Sequence, residues 1–264
     1  MKIDFHTHGK LAKKLPFSPE YTDWLFGEAV VSGLDALCLT EHFNTTGFHE
    51  VYEYVASKYE RDGDSFLTEN GFRIFPGMEV DIQEGGHTLV IGELEAILEL
   101  NARLESYKQK GDFLSFAQLT EWIDEYPVLF GAGHPFRKSS HIPELDRNSI
   151  MKFDFFDLNG KDLALDNEME QQLKDFALQL NKPVLAGSDT HQSFQYGCIY
   201  NIFEHSCNSI AELKEEIENN RYHIAVADST ALQVKAAGIL KRALKEIYTL
   251  GGDYVSVLIK EKED

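Results

Sequence analysis

The chain predicts an α/β fold in which seven β-strands close into a barrel, and three observations carry that expectation. Seven short β-like runs, at residues 2–8, 36–41, 73–82, 87–91, 128–131, 153–158 and 183–187, alternate with helical patterns. Amphipathic helices between strands imply parallel βαβ units, and about seven of them in 264 residues imply one closed barrel instead of two domains. Most of the acidic and histidine-bearing motifs fall where a run ends, and β/α barrels gather functional residues at the C-terminal ends of different strands.

Taken in order, Ser18-Pro19 opens the first helix with an N-cap residue and proline at the first helical position, and Gly33 closes it. The pair 79–92 is interrupted only by Gln83-Glu84-Gly85-Gly86, too short for a crossover helix, so a local hairpin is expected there. Ser115-x-x-Gln118 and Asn167-x-x-Glu170 have the spacing of capping boxes. Behind them Phe116, Leu119, Trp122 and Ile123, and then Met169, Leu173, Phe176, Ala177 and Leu180, each repeat at the three-and-four spacing of a buried helix face. A last helical pattern at 230–250 stops at Gly251-Gly252 before a strand-like 254–259, an appendage of one helix and one strand packed on the barrel.

Charge narrows the partners. Forty-four Asp and Glu against 25 Lys and Arg give a net charge of −19, which disfavours long-range attraction to nucleic acid phosphates and anionic membranes. No stretch approaches the ~20 apolar residues of a membrane span. Met1 runs directly into the first β-like run without a secretory leader, and Cys38, Cys198 and Cys207 form neither an even disulfide framework nor a CxxC pair. A cytoplasmic location is the expectation.

The chemistry begins at Asp4-Phe5-His6-Thr7-His8. Residues two apart on a strand share a face, ~6.5–7 Å apart along it, so Asp4, His6 and His8 are expected to project together, with two imidazoles able to chelate one metal ion. Asp4 would then hold a histidine's second nitrogen and fix its tautomer. Asp189 with His191, and Asp157 with Asn159, repeat the geometry. His87 and His134 taken singly read as loop histidines, and only the ordered set points to a metal centre.

These residues resemble the polymerase and histidinol phosphatase (PHP) superfamily over roughly residues 1–228, leaving 229–264 as a C-terminal extension. The resemblance is carried by Asp4-x-His6-x-His8, Thr40-Glu41-His42, Pro76-Gly77-Met78-Glu79, His87, His134-Pro135 and Gly187-Ser188-Asp189-x-His191, in that order. It implies a distorted seven-stranded (β/α)7 barrel, TIM-barrel-like, and a metal-dependent phosphoesterase. It also implies that His6, His8, Glu79 and Asp189 hold one divalent ion, that Glu79 bridges to a second held by His87 and His134, and that His42 and His191 face a third. Members with three ions commonly add a histidine soon after the H-x-H, where this chain reads Gly9 to Lys14. Two or three divalent ions are therefore expected, with Lys13 or Lys14 a candidate to replace the lost charge beside a phosphate, against the alternative that both are solvated surface lysines. Zn, Mn and Fe all suit nitrogen and carboxylate ligands.

Two ions bridged by Glu79 would lower the pKa of a shared water from ~15.7 towards ~7 and deliver hydroxide to a small-molecule phosphate monoester, histidinol phosphate being one candidate. Arg137 is the candidate for bidentate phosphate binding. His42 or His191 would protonate the leaving oxygen if no third ion is bound. The competing readings are a non-catalytic metal-binding or regulatory module, an amidohydrolase and a nuclease.

Overall fold

The computed structural model of the chain describes residues 1–166 and 168–259. Its strands are β1 (Lys2–Thr7), β2 (Ala36–Leu39), β3 (Glu60–Asp62), β4 (Ser65–Leu67), β5 (Arg73–Asp81), β6 (His87–Ile91), β7 (Leu129–Gly133), β8 (Phe155–Asn159), β9 (Val184–Gly187), β10 (Ile199–Phe203) and β11 (Tyr222–Val226). Its helices are α1 (Pro19–Val31), α2 (Phe48–Lys58), α3 (Leu94–Arg103), α4 (Phe116–Ile123), α5 (Arg147–Ile150), α6 (Gly160–Leu163), α7 (Met169–Leu180), α8 (Ile210–Glu218), α9 (Thr230–Thr249) and α10 (Tyr254–Ile259).

The sheet runs β11-β10-β1-β2-β5-β6-β7-β8-β9. Beyond the end of β9 the chain returns to β1: the Asp189 amide donates to His6 O (2.8 Å) and the His8 amide to Thr190 O (2.9 Å). The closed circuit is thus β1, β2, β5, β6, β7, β8 and β9, the seven runs that the sequence marks out. It departs from an all-parallel barrel at β6, which is antiparallel to both β5 and β7. The β5–β6 connection is the expected hairpin, with Gly85 and Gly86 at φ 92° and 130°, where a side chain would be strained. Sequence reading missed β10, which pairs antiparallel with β1, β11, which pairs antiparallel with β10, and the β3–β4 hairpin turned at Gly63.

Alternation divides the buried residues into two layers. Ile3, Phe5, Cys38, Phe75, Leu89, Leu129, Phe155 and Leu185 form one cluster between the strands, joined by Ile210, Leu213 and Ile217 of α8. Leu37, Leu39, Ile74, Val90, Phe130, Phe156 and Leu158 point the other way, into the layer shared with the surrounding helices. Along β8 the inward residue changes from Phe155 to Asp157 to Asn159, so an apolar barrel floor gives way to a polar mouth.

Local signals behave as their chemistry requires. Ser18 Oγ accepts the Tyr21 amide (3.2 Å) with Pro19 in the first turn, and Ser115 Oγ accepts the Gln118 amide (3.4 Å). The capping box expected at Asn167 lies outside the described residues. One expectation is corrected: 254–259 is helix α10, not a strand, because Asp253 Oδ1 accepts the amides of Val255 (3.0 Å) and Ser256 (3.1 Å) and starts a helical turn. Tyr254 then packs edge-on against Tyr21 of α1. Residues 260–264 of the C-terminal extension lie outside the described residues. Among the described residues no helix is long and apolar enough to cross a membrane, and Cys38, Cys198 and Cys207 are free and buried.

Candidate metal centre

Glu79, buried near the end of β5, stands among five imidazoles. Its Oε1 faces His6 Nε2 (3.6 Å), His134 Nε2 (3.0 Å) and His87 Nδ1, while its Oε2 faces His42 Nδ1 (2.6 Å) and His8 Nε2 (3.6 Å). His8 Nε2 also lies 3.5 Å from Asp189 Oδ1, and the His8 and His191 rings stack with centroids 4.0 Å apart. Three sets of donor atoms converge closely enough to hold an ion each: His6, His8 and Asp189; His6, Glu79 and His134; and His8, His42 and His191. All eight candidate ligands therefore meet at one mouth, with His87 attached through Glu79 and Asp81.

The donor set fits divalent cations by a test independent of motif. His6 Nε2, both nitrogens of His8, His134 Nδ1, His42 Nδ1 and Glu79 Oε2 are buried without a hydrogen-bond partner, and unpaired buried polar atoms are costly. For His42 and Glu79 the close approach lacks hydrogen-bond geometry. Two of the candidate ligands, His134 (φ 31°) and Asp189 (φ 58°), hold backbone conformations uncommon for side-chain-bearing residues. Strain of that kind concentrates at functional sites.

The partner of His6 differs from expectation. A register irregularity in β1 between Asp4 and Thr7 breaks the period of two, so Ile3 and Phe5 line the barrel interior and His6 turns into the mouth as well. Among the described residues Asp4 consequently hydrogen-bonds no imidazole; its Oδ1 accepts the backbone amides of His6 (3.1 Å) and Ser188 (3.0 Å) and pins β1 to the end of β9. Asp157 of β8 takes the role assigned to Asp4, with Oδ2 2.8 Å from His6 Nδ1. This contact passes over Gly187, where a Cβ would collide with His6 Cβ and Asp157 Oδ1.

Electrostatics separate the imidazoles. Burial lowers the His6 pKa, but Asp157 and Glu79 outweigh it and hold it well above the ordinary range. Burial likewise acts against His87, which Glu79 and Asp81 raise to about 9. Burial lowers His42 to about 4 and His191 well below its usual value. Burial would raise Glu79, yet His87, His42 and His6 keep it well below the carboxylate range. Before an ion binds, His6 and His87 are protonated at pH 7, and a ligating nitrogen must lose its proton. Metal uptake at pH 7 is expected to release protons, and affinity should rise with pH through about 9, where His87 loses its proton. Titration calorimetry in buffers of different ionisation enthalpy measures this; no proton release at pH 7 would contradict the assignment of these rings.

The remaining candidates divide. Arg137 reaches the centre but is engaged by protein groups: its Nε donates to Asp162 (2.8 Å) and its Nη2 to Asn159 (3.1 Å) and Asp189 Oδ2 (3.1 Å). It orients the outer oxygen of a candidate ligand. Lys13 reaches Asp81 (3.1 Å), the carboxylate behind His87, whereas Lys14 is exposed and, among the described residues, makes no hydrogen bond or ion pair with the centre. The lysine inside the protein is Lys10, which donates to Thr45 Oγ1 (3.0 Å) and Thr46 O and ties down the loop where the family's extra histidine is often found. Sequence reasoning passed over Lys10, Asp81 and Lys161, whose Nζ lies 3.6 Å from Asp189 Oδ2. Only proximity to the motifs in sequence could have flagged them.

Comparison with known proteins adds a family match over part of the chain and a fold. Residues 169–222 match the PHP-associated family. The structure of PsfC from Pseudomonas syringae PB-5123 is similar at TM-score 0.76 and 21% identity, over 92% of this chain and 98% of that one. Endonuclease Q in complex with a 27-mer duplex substrate carrying an abasic lesion is similar at TM-score 0.66 and 21% identity, over 83% of this chain and 56% of that one. The lesion-specific endonuclease PfuEndoQ from Pyrococcus furiosus is similar at TM-score 0.64 and 22% identity, with the same coverage. No curated protein sequence matches the chain.

Proposed function

We propose that the chain is a PHP-superfamily enzyme that hydrolyses a small-molecule phosphate monoester with two or three divalent ions held by His6, His8, His42, Glu79, His87, His134, Asp189 and His191, a reading that the match of residues 169–222 to the PHP-associated family supports. The observation that supports this most is Glu79: one buried carboxylate directs each oxygen at a different group of imidazoles, the disposition of a ligand shared between ions. Divalent ions in such a site supply Lewis acidity, lowering the pKa of a water and offsetting charge on phosphate oxygens.

The protein's own part is positioning and exclusion of water. Asp157 fixes the His6 tautomer, so that Nε2 faces the centre. Arg137 and Lys161 hold the outer oxygen of Asp189, leaving its Oδ1 towards His8. His42 and His191, with pKa values lowered by burial, are neutral at pH 7. That favours ligation over the proton-donor role the sequence also allowed. A cleft of about 680 Å³ opens beside His87, lined by Asp81, Gln83, Lys110, Phe113 and Ser139, and is read as the room for the organic part of the ester.

A nuclease is the second reading, favoured by the fold shared with endonuclease Q. Against it stands the charge of −19, since duplex binding relies on neutralising phosphates with Lys and Arg. Metal analysis of the purified protein, followed by a panel of histidinol phosphate, nucleoside monophosphates, a phosphotyrosyl peptide and a duplex with an abasic site, separates these readings. The expected result is bound metal and chelator-sensitive turnover of at least one small monoester. Cleavage of the duplex alone would transfer the assignment to the nuclease, and metal without turnover to a regulatory module.

A further inference from the structure

We propose that Lys241 of α9 is a phosphate-positioning residue of this centre, forming with Lys161 a cationic edge that receives the phosphate group of the ester. The proposal rests on the phosphoesterase reading above and gives the C-terminal extension a part in the site. Helix α9 is fixed against the turn that follows His191: Gln233 Nε2 donates to Tyr196 O (3.0 Å) and Thr230 Oγ1 to Cys198 O (2.7 Å). It also packs on α6, which carries Lys161. Thr230, Ala237 and Leu244 mark its buried stripe, and Lys241 follows Ala237 by four residues and precedes Leu244 by three. Positions so spaced lie on one helix face. A lysine therefore occupies the inward side, where an apolar residue is the usual solution.

Lys241 is half-buried and makes no ion pair or hydrogen bond among the described residues. The helix that carries it packs on α6 and on the turn after His191, and its charge is felt by His191, Asp189 and Glu41. The carboxylate there is already engaged, since Asp189 Oδ2 is shared by Arg137 (3.1 Å) and Lys161 (3.6 Å). Burial pushes the Lys241 ammonium down to about 8; Asp189 opposes the fall, and Lys161 and Lys245 add to it. The helix as a whole carries Lys235, Lys241, Arg242 and Lys245 against Glu246 alone, in a chain of net charge −19. An anion docked between Lys161 and Lys241 would relieve their repulsion, and a tetrahedral phosphate accepts from both.

The competing account is a stem that covers apolar surface while its ammonium seeks water. Lys241→Met keeps the stem and removes the charge, so it separates the two. Two readouts are needed, both on the protein as purified with its metal content measured: calorimetric binding of inorganic phosphate, and KM for p-nitrophenyl phosphate. Losing one charged hydrogen bond should weaken both by about tenfold, with metal content and kcat close to wild type. Lys241→Arg should recover most of the loss, and Lys235→Met, on the exposed side of the same helix, should change nothing. Unchanged phosphate affinity in Lys241→Met overturns the proposal. If the wild-type protein turns over no phosphate ester, the phosphoesterase reading fails, and phosphate calorimetry alone still decides the role of Lys241.

Discussion

Glu79→Gln is expected to lose bound metal and activity together while the barrel stays folded. The substitution keeps the side chain's volume but removes the charge that faces His6, His8, His42, His87 and His134. Affinity for divalent ions should fall by more than about a hundredfold, because removing a carboxylate that merely supports a ligating histidine already costs ~10–100-fold. The His87 pKa should fall as well, since Glu79 is the first of the groups that raise it against burial. Elemental analysis, kcat/KM and far-ultraviolet circular dichroism read the three consequences separately. A Glu79→Gln protein with its full metal complement would remove the bridging carboxylate from the scheme.

Gly187→Ala is the second large effect, and it acts on stability as well as on the centre. Gly187 ends β9 with His6 of β1 on one side and Asp157 of β8 on the other, and its missing side chain is the space in which they meet. A methyl group there overpacks a closed barrel, at a cost of about 1–3 kcal/mol. Parting His6 from Asp157 adds the penalty of an unpaired buried charge, about 3–5 kcal/mol where the break is complete. The expected sum is a loss of at least about 3 kcal/mol in urea unfolding of the metal-free protein. Gly27→Ala is the control: Gly27 lies in α1 with nothing near its missing Cβ, and alanine in a helix interior is favoured by about 1 kcal/mol. Equal stability of the two variants would mean that β9 yields without cost.

Much of the barrel was legible because its strands are short runs in which alternate residues face different layers. Phe155, Asp157 and Asn159 point inward, whereas Phe156 and Leu158 meet the helices. That alternation is written in residue order and needs no tertiary knowledge. Strand β10 was missed because only a short turn separates it from β9 before it returns antiparallel beside β1, and β11 because its partly exposed residues form no buried apolar run. The apolar residues at 254–259 misled for a different reason: Asp253 offers a helix cap, and a local hydrogen bond outweighed the β-like composition.

For the site, the sequence alone determined which histidines and carboxylates stand at strand ends, and in what order. Covalent spacing along a strand is enough for that. Tertiary structure decided the partnerships. Asp157 supports His6 in place of Asp4 because one irregularity in β1 turns the ring away from the face that the period of two assigns to it. Arg137 is committed to Asp162 and Asp189 because α6 and the end of β9 close around it. Helix α9, which carries Lys241, meets α6 and the turn behind His191 only because the chain folds back there. Each of these depends on a distance between residues far apart in the chain, and such distances are set by how the layers pack.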